Sequence, residues 1–414
     1  MTSKEKIIRF SLWAVVVAGT FLRIISCYLT NPLDGMVSDP ARHWSNALQF
    51  WHPDLMGGYD PIGYQVFMLG LQTITGGNRL GVALVCGLLS AIMPWTYFRA
   101  GRELGMSKNS SLLLFGLLAL TPSLFLIYHH FMMETLVLPL IGLSLWMTAR
   151  FMRKGNLPCF LIAAACWTLT CLTKTVPLPL AAICMGYAWW LRSRRVSYLL
   201  AALCVGLILI IPNAIRSRQI LGFSAPFGNT WLPMIHHRAG TKFIRIELNG
   251  GGYWQYSSPS AYIEPLAPFS HWKIERAYNN DTVIVPVNPK NGARDWRRVY
   301  DQIHVSWRDW MVRWGENMVL FFFAITWPSA NPGTWERVAC DGMRWLWAPL
   351  VVVLLVDNCR RFRARNFDLI PVATTLFTLW LLSQNMAIME GRFRLSAEPL
   401  LIMNLCWAIS RQKK

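Results

Sequence analysis

The chain has 414 residues, of which 54% are hydrophobic and only 15% charged, a balance far more apolar than that of soluble globular proteins. Its net charge of +19 does not point to nucleic acid, because the basic residues fall in short bursts between apolar runs and not on one soluble face. Its ten cysteines lie almost wholly inside or beside apolar runs (Cys86, Cys166, Cys171, Cys204 and Cys406 among them) and none falls in the polar stretch 215–314, so neither a disulfide framework nor CxxC or Cys/His metal spacing is expected.

The N-terminus carries Lys4, Lys6 and Arg9 ahead of an apolar run, with Arg23 and Cys27-Tyr28 where a cleavage site would stand; this predicts a retained first span, not a removable signal. Crossing a hydrocarbon core of ~30 Å takes about 20 mostly apolar residues. Ten segments approach that length: Phe10 to Leu29, Gly81 to Phe98, Ser111 to Tyr128, Thr135 to Ala149, Leu157 to Thr173, Val176 to Leu191, Tyr198 to Ile215, Gly342 to Val356, Leu369 to Gln384 and Pro399 to Ile409. The fold class expected is therefore an all-α polytopic membrane protein of about ten transmembrane helices. Basic bursts at Arg99/Arg102/Lys108, Arg150/Arg153/Lys154, Arg192/Arg194/Arg195, Arg360/Arg361/Arg363/Arg365 and Arg411/Lys413/Lys414 recur at alternate junctions. The positive-inside rule assigns them to the cytoplasm with the N-terminus.

Two apolar pieces fit this scheme less directly. Ile62 to Thr75 follows Asp60-Pro61 and is expected to lie in the interface before the second span. Met318 to Trp327 is short and followed by Pro328 and Pro332; it reads as a re-entrant or interfacial helix, since a crossing would turn the Arg360 to Arg365 cluster outward. Three regions result: a transmembrane module 1–215 with an outer loop at 31–61, an extracytoplasmic region 216–341 with a small mixed domain and Gly/Pro/Asn-rich turns, and C-terminal helices in 342–414.

Outer ends of spans are poor in Lys and Arg unless those residues have a task, and several are not poor. Lys174 is wedged between apolar runs in Leu172-Thr173-Lys174-Thr175-Val176-Pro177, where a cation costs about 2.5 to 3.5 kcal/mol at membrane centre and less near a helix end. Arg392 and Arg394, in Glu390-Gly391-Arg392-Phe393-Arg394, sit before the last span, and Arg216 and Arg218 follow Pro212. Together these residues suggest a cationic collar suited to a lipid phosphate, with Arg as planar fork and Lys as point charge. Snorkelling, or ion pairs with Glu390 and Glu398, is the structural alternative.

In the first loop, Asp39-Pro40 has the form of a helix start, and Asp39 is a candidate general base; Asp34 and Asp60 compete with it. His129, His130 and Glu134 cluster at an outer end, with His130 and Glu134 four residues apart and so on one face of a continuous helix. They suit contacts to a sugar; a divalent metal stays open, although no dense ligand set is visible. All eight histidines fall on the predicted outer side.

The order of these motifs resembles the GT-C superfamily of integral membrane glycosyltransferases, especially the branch of protein O-mannosyltransferases and the lipid A aminoarabinose transferase. Ser38-Asp39-Pro40-Ala41-Arg42-His43 resembles its acidic first-loop motif, with Pro and His substituted, and Asp60-Pro61-Ile62-Gly63-Tyr64 its Pro-x-x-Tyr entry. Pro122 through Glu134 is similar to its aromatic stretch ending in an acid, and Leu172-Thr173-Lys174 to its Leu-Thr-Lys. Ile211 through Arg216 is similar to a Pro-Trp-x-x-Arg-Asn element lacking its Trp, and Glu390 through Pro399 to a Glu-Arg-Tyr-Arg-Leu-Pro-x-Glu-Pro element.

The resemblance implies an inverting transfer of a sugar from a polyprenyl-phosphate donor to an acceptor hydroxyl of a glycan, lipid or protein. It implies catalysis at the outer face of a bacterial inner membrane, with Asp39 as base, Asp34 as a competing acid, Lys174, Arg392, Arg394 and Arg216 on the donor phosphate, and Tyr64, His129, His130, Glu134 and Glu390 near the substrates. No nucleic-acid partner is expected, and no cofactor is required beyond an optional divalent metal. A transporter or flippase of a lipid-linked substrate and an O-antigen ligase or polymerase are the alternative readings.

Overall fold

The computed structural model describes residues 3–36, 39–52, 58, 60–231, 234–235, 243–248, 253–256, 282–302, 307–323, 335–383 and 391–411. Its first half is a run of helices: α1 (Ser3–Leu29), α2 (Asp39–Leu48), α3 (Ile62–Thr75), α4 (Arg79–Glu103), α5 (Lys108–Leu120), α6 (Pro122–Leu126), α7 (Glu134–Lys154), α8 (Leu157–Thr173), α9 (Leu178–Arg192) and α10 (Val196–Leu221). Their ends follow from local chemistry. Asn78 accepts from Leu80 N and Gly81 N to open α4, Ser107 caps α5 through Ser110 N, and Asn156 caps α8 through Cys159 N, each supplying an acceptor for amides that a helix start leaves unpaired. Gly155 and Gly222 close α7 and α10 with left-handed backbone, which costs glycine nothing.

The segments expected to span the membrane fall on helices, that at 111–128 on a broken one, except that Val176 and Pro177 precede α9 and Gln384 lies outside the described residues. By length and composition, however, four helices among the described residues can cross a membrane: α1 from Phe10, α4, α7 and α10, or five with the bent α5–α6 pair. The expected count of about ten is not reached on this criterion, since α8 and α9 have only 17 and 15 residues. Beyond α10 come β1 (Phe243–Leu248), β2 (Tyr253–Tyr256), β3 (Thr282–Val287), α11 (Ala293–Gln302), α12 (Trp307–Phe323), α13 (Trp335–Arg363), α14 (Leu369–Ser383) and α15 (Glu398–Arg411). The strands form one sheet in the order β2-β1-β3, β1 antiparallel to β2 and parallel to β3, so the region 216–341 is mixed in structure. α11 packs against β3 and buries Trp296 and Val299. Met318 to Trp327 begins as the end of α12; its residues 324–327 lie outside the described residues.

The apolar core runs through α4, which packs on α1 and α7, with α8 behind α7 and α10 behind α8. α15 closes the bundle against α5, and α14 against α9. The α4–α7 contact is close: a Cβ at Gly142 would lie 2.1 Å from Thr96 Oγ1 and 2.8 Å from the Tyr97 ring.

The span expected at 111–128 is bent by 65° between α5 and α6. Pro122 has no N–H to give, so the carbonyl of Leu118 loses its helical donor. Arg23 of α1, fully buried, fills the gap: its Nη2 donates to Leu118 O at 3.4 Å, and Nη1 and Nη2 donate to Leu124 O at 3.1 and 2.6 Å. Its guanidinium also lies 5.6 Å from the centre of the Tyr128 ring, a cation–π contact that spreads the charge. From the other side Ser123 donates to Glu398 at 2.5 Å.

Gly142→Ala should destabilise the protein by about 1–3 kcal/mol, the usual cost of overpacking a close helix contact, read as a lowered melting temperature in detergent; an unchanged melting temperature would show that α4 and α7 separate freely.

Candidate functional site

α2 starts at Asp39, with Pro40 in its first turn, where a missing N–H costs nothing. Asp39 and Arg42, three residues apart, share one face, and Arg42 Nη1 donates to Asp39 Oδ1 at 2.7 Å. The other edge of the same guanidinium forks onto Asp60, Nε to Oδ2 at 3.1 Å and Nη2 to Oδ1 at 3.2 Å. Two parallel bonds of this kind suit Arg and not Lys. Asn46 Nδ2 donates to Asp60 at 3.2 Å, and His43 Nδ1 stands 3.2 Å from Asp60 Oδ2. Burial alone would push the Asp60 carboxyl up, but Arg42 and His43 together hold it well below the usual carboxylate range.

A second charge pair lies one helix away. Glu134 opens α7 and Lys174 follows the last residue of α8, so the acid sits at a helix start and the cation at a helix end, each favoured by the local peptide dipoles. Lys174 Nζ meets Glu134 Oε1 at 2.5 Å with both residues buried. The expected anionic compensation of Lys174 is therefore supplied in this structure by Glu134.

The beginning of α3 joins the two clusters. The Tyr64 hydroxyl lies 3.4 Å from Thr135 Oγ1, beside Glu134, while its ring meets the His43 ring edge-on at 5.0 Å. Gly63 faces the residues just before Lys174: a Cβ there would be 2.7 Å from Thr173 Oγ1 and 2.9 Å from Leu172 O. Arg216 is tied to the same group, donating to Gln65 Oε1 at 3.0 Å while Gln65 donates to the Asp60 carbonyl at 3.0 Å. Its guanidinium also lies 4.9 Å from the Phe50 ring centre.

The remaining expected residues lie elsewhere in the fold. Asp34 is exposed and takes a two-bonded contact from Arg79 at 2.6 and 2.9 Å; the Arg79 guanidinium lowers its pKa. His129 is buried with its ring 6.4 Å from Phe125. His130 has extended backbone and α7 begins at Glu134, so the helix is not continuous between them and the expected shared face does not form. Arg394 is fully buried, its Nε 2.9 Å from Glu398 Oε1 and its Nη1 donating to the carbonyls of Phe321 and Phe322. It therefore joins a short 3-10 helix (Gly391–Ser396) to α12 and α15, the ion-pair alternative among the expectations. Arg392 shares that 3-10 helix, and Glu390 lies outside the described residues. Among the described residues no group of three or more His, Cys, Asp and Glu side chains is arranged to hold a metal ion.

Sequence reasoning kept Asp60 only as a competitor and gave Arg42, His43 and Asn46 no role. The signal was present in part, because Asp39, Arg42, His43 and Asn46 recur at spacings of three and four, which puts them on one side of a short helix. Nothing local indicated that Asp60 would fold back onto them.

The arrangement defines a helical membrane protein with a buried, charge-balanced site between α2, α3, α7 and α8. Residues 60–215 match the family model of dolichyl-phosphate-mannose-protein mannosyltransferases, a family of the GT-C superfamily. The matched segment contains Asp60, Tyr64, Glu134 and Lys174, and the match supports a membrane glycosyltransferase of the GT-C type. No curated protein matches the chain.

Removing one partner of a buried pair leaves a bare charge, at a cost of about 3–5 kcal/mol. Lys174→Ala should lower stability by that amount in detergent melts, and Lys174→Met with Glu134→Leu should recover most of it; equal losses in the single and double variants would contradict coupling of the two residues.

The pH dependence of Asp60 has a definite sign. Its folded pKa lies below its unfolded one, so its stabilising contribution is complete above about pH 4, the ordinary carboxylate value, and is lost as pH falls further. Asp60→Asn should accordingly differ from the parent by a constant amount between pH 5 and 8 and converge toward it in acid, measured by denaturation at a series of pH values.

Proposed function

We propose that the protein transfers a sugar from a polyprenyl-phosphate carrier to an acceptor hydroxyl on the outer side of the membrane, with inversion at the anomeric carbon. One observation carries this reading: an acidic cluster and a buried lysine meet across Gly63 and Tyr64, and all but the α2 portion of that junction falls within the matched segment.

Asp39 is the more accessible carboxylate of its cluster, its side chain 22% exposed against 1% for Asp60, which supports it as the group that takes the acceptor's proton. Lys174 then stabilises the charge that grows on the departing lipid phosphate, exchanging Glu134 for the phosphate as the donor enters. Arg216, tethered through Gln65, and Arg392 and Arg394 complete the proposed phosphate contacts, Arg394 in addition anchoring its turn to α12 and α15. Because the leaving group is already an anion, electrostatic stabilisation supplies what an acid catalyst otherwise would. Tyr64, His129, His130, Glu134 and Glu390 form the proposed surroundings of the two substrates, with Asp34 a more distant acid and any metal left to be determined by assay. The acceptor belongs to the class of glycans, lipids or proteins of a cell envelope.

Asp39→Asn, assayed in membranes for sugar transfer from a polyprenyl-phosphate donor with expression and insertion monitored, should lose about 10²- to 10⁴-fold in rate, the usual contribution of a general base. Retained transfer would remove Asp39 from that role. Mass spectrometry of envelope glycoconjugates from a deletion strain should show one glycan missing its sugar.

A further inference from the structure

His43 is almost wholly enclosed, 1% exposed, yet neither of its ring nitrogens makes a hydrogen bond among the described residues. A buried polar nitrogen left unpaired is costly, and such groups gather where chemistry is done. Of the two, Nδ1 is the informative one: it stands 3.2 Å from Oδ2 of Asp60, an acid kept ionised by Arg42 on both its oxygens. An ionised carboxylate beside Nδ1 fixes the proton on that nitrogen and leaves the Nε2 lone pair free. Asp39, by contrast, already accepts a 2.7 Å bond from Arg42.

We propose that His43, oriented by Asp60, is a second acid–base group of this site, resting on the transferase reading above. The imidazole Nε2, four residues on from Asp39 and so on the same side of α2, takes on the proton that Asp39 removes from the acceptor hydroxyl as that oxygen bonds to the anomeric carbon of the donor sugar. The bond from that carbon to the phosphate oxygen breaks with its electron pair on the phosphate, and His43 later returns its proton to water. Atoms and charge balance without an oxidant, reductant or metal.

The surroundings set the direction of the pH dependence. The charged and titratable groups facing His43 are Asp39 and Arg42 from its own helix, Asp60 from the loop before α3, and Tyr64 from α3; the Glu134–Lys174 pair lies beyond Tyr64, and Arg216 reaches Asp60 through Gln65. Protonated on both nitrogens, the imidazole has no lone pair with which to accept, so transfer requires the neutral ring.

The test separates proton transfer from architecture. In His43→Asn the amide nitrogen can take the place of Nδ1 beside Asp60, but nothing replaces Nε2. With insertion and melting temperature near the parent's, this variant should lose 10²-fold or more in kcat, and the acidic limb of the kcat/KM profile should disappear. An unchanged acidic limb in His43→Asn, or transfer within a few-fold of the parent, would overturn the proposal and leave His43 as a packing residue. Should His43→Asn fail to insert, His43→Gln, which places an amide near Nε2, gives the same readout. If the unaltered protein transfers no sugar from a polyprenyl-phosphate donor, it is the transferase reading that falls; parental transfer with an unaffected His43→Asn sinks only this inference.

Discussion

A cation buried in a helical membrane protein must find an oxygen, and the meeting of Lys174 with Glu134 is where that requirement shapes the site. Desolvating either charge alone costs several kcal/mol, so the end of α8 and the beginning of α7 have to lie side by side. That juxtaposition fixes Thr135 and the residues preceding Lys174, and the start of α3 fits against both. Gly63 allows α3 to approach the Leu172 carbonyl, and Tyr64 spans from Thr135 to His43. The acidic cluster of the first loop is then positioned by contact with this framework.

The same requirement recurs at two further places and gives the fold its rigidity near the site. Among the described residues Arg23 has no carboxylate partner; it is stabilised by carbonyls exposed at the proline break between α5 and α6, by Ser90 and by Tyr128. Arg394 is stabilised by Glu398 and by the carbonyls at the end of α12. Since Glu398 also accepts from Ser123 of α6, the short bent helix is held from α1 on one side and from α15 on the other. The segment from Pro122 to Glu134, which carries the two histidines and leads to the buried acid, is thereby anchored at its beginning.

The shared guanidinium of Arg42 gives the two aspartates different characters. Asp60 is enclosed and bonded on both oxygens, whereas Asp39 keeps partial exposure. Two like acids joined by one arginine thus differ in burial and bonding, a separation that environment and not residue type produces.

Sequence alone determined the helical character of the chain, because apolar runs of membrane length between basic bursts have few other stable forms, and it singled out Asp39, Lys174 and Glu134 as candidates by their polar chemistry beside apolar runs. Its count of about ten crossings is not confirmed by length and composition among the described residues, where α8, α9 and α14 have 17, 15 and 15 residues. It also grouped Lys174, Arg216 and Arg394 as one collar by their common position along the spans. Only the tertiary structure decided which oxygen each cation meets: Glu134, Gln65 and Glu398. Periodicity reports which side of a helix a residue occupies, while the partner across the interface lies 40 residues away for Lys174 and is chosen by packing that no local pattern encodes.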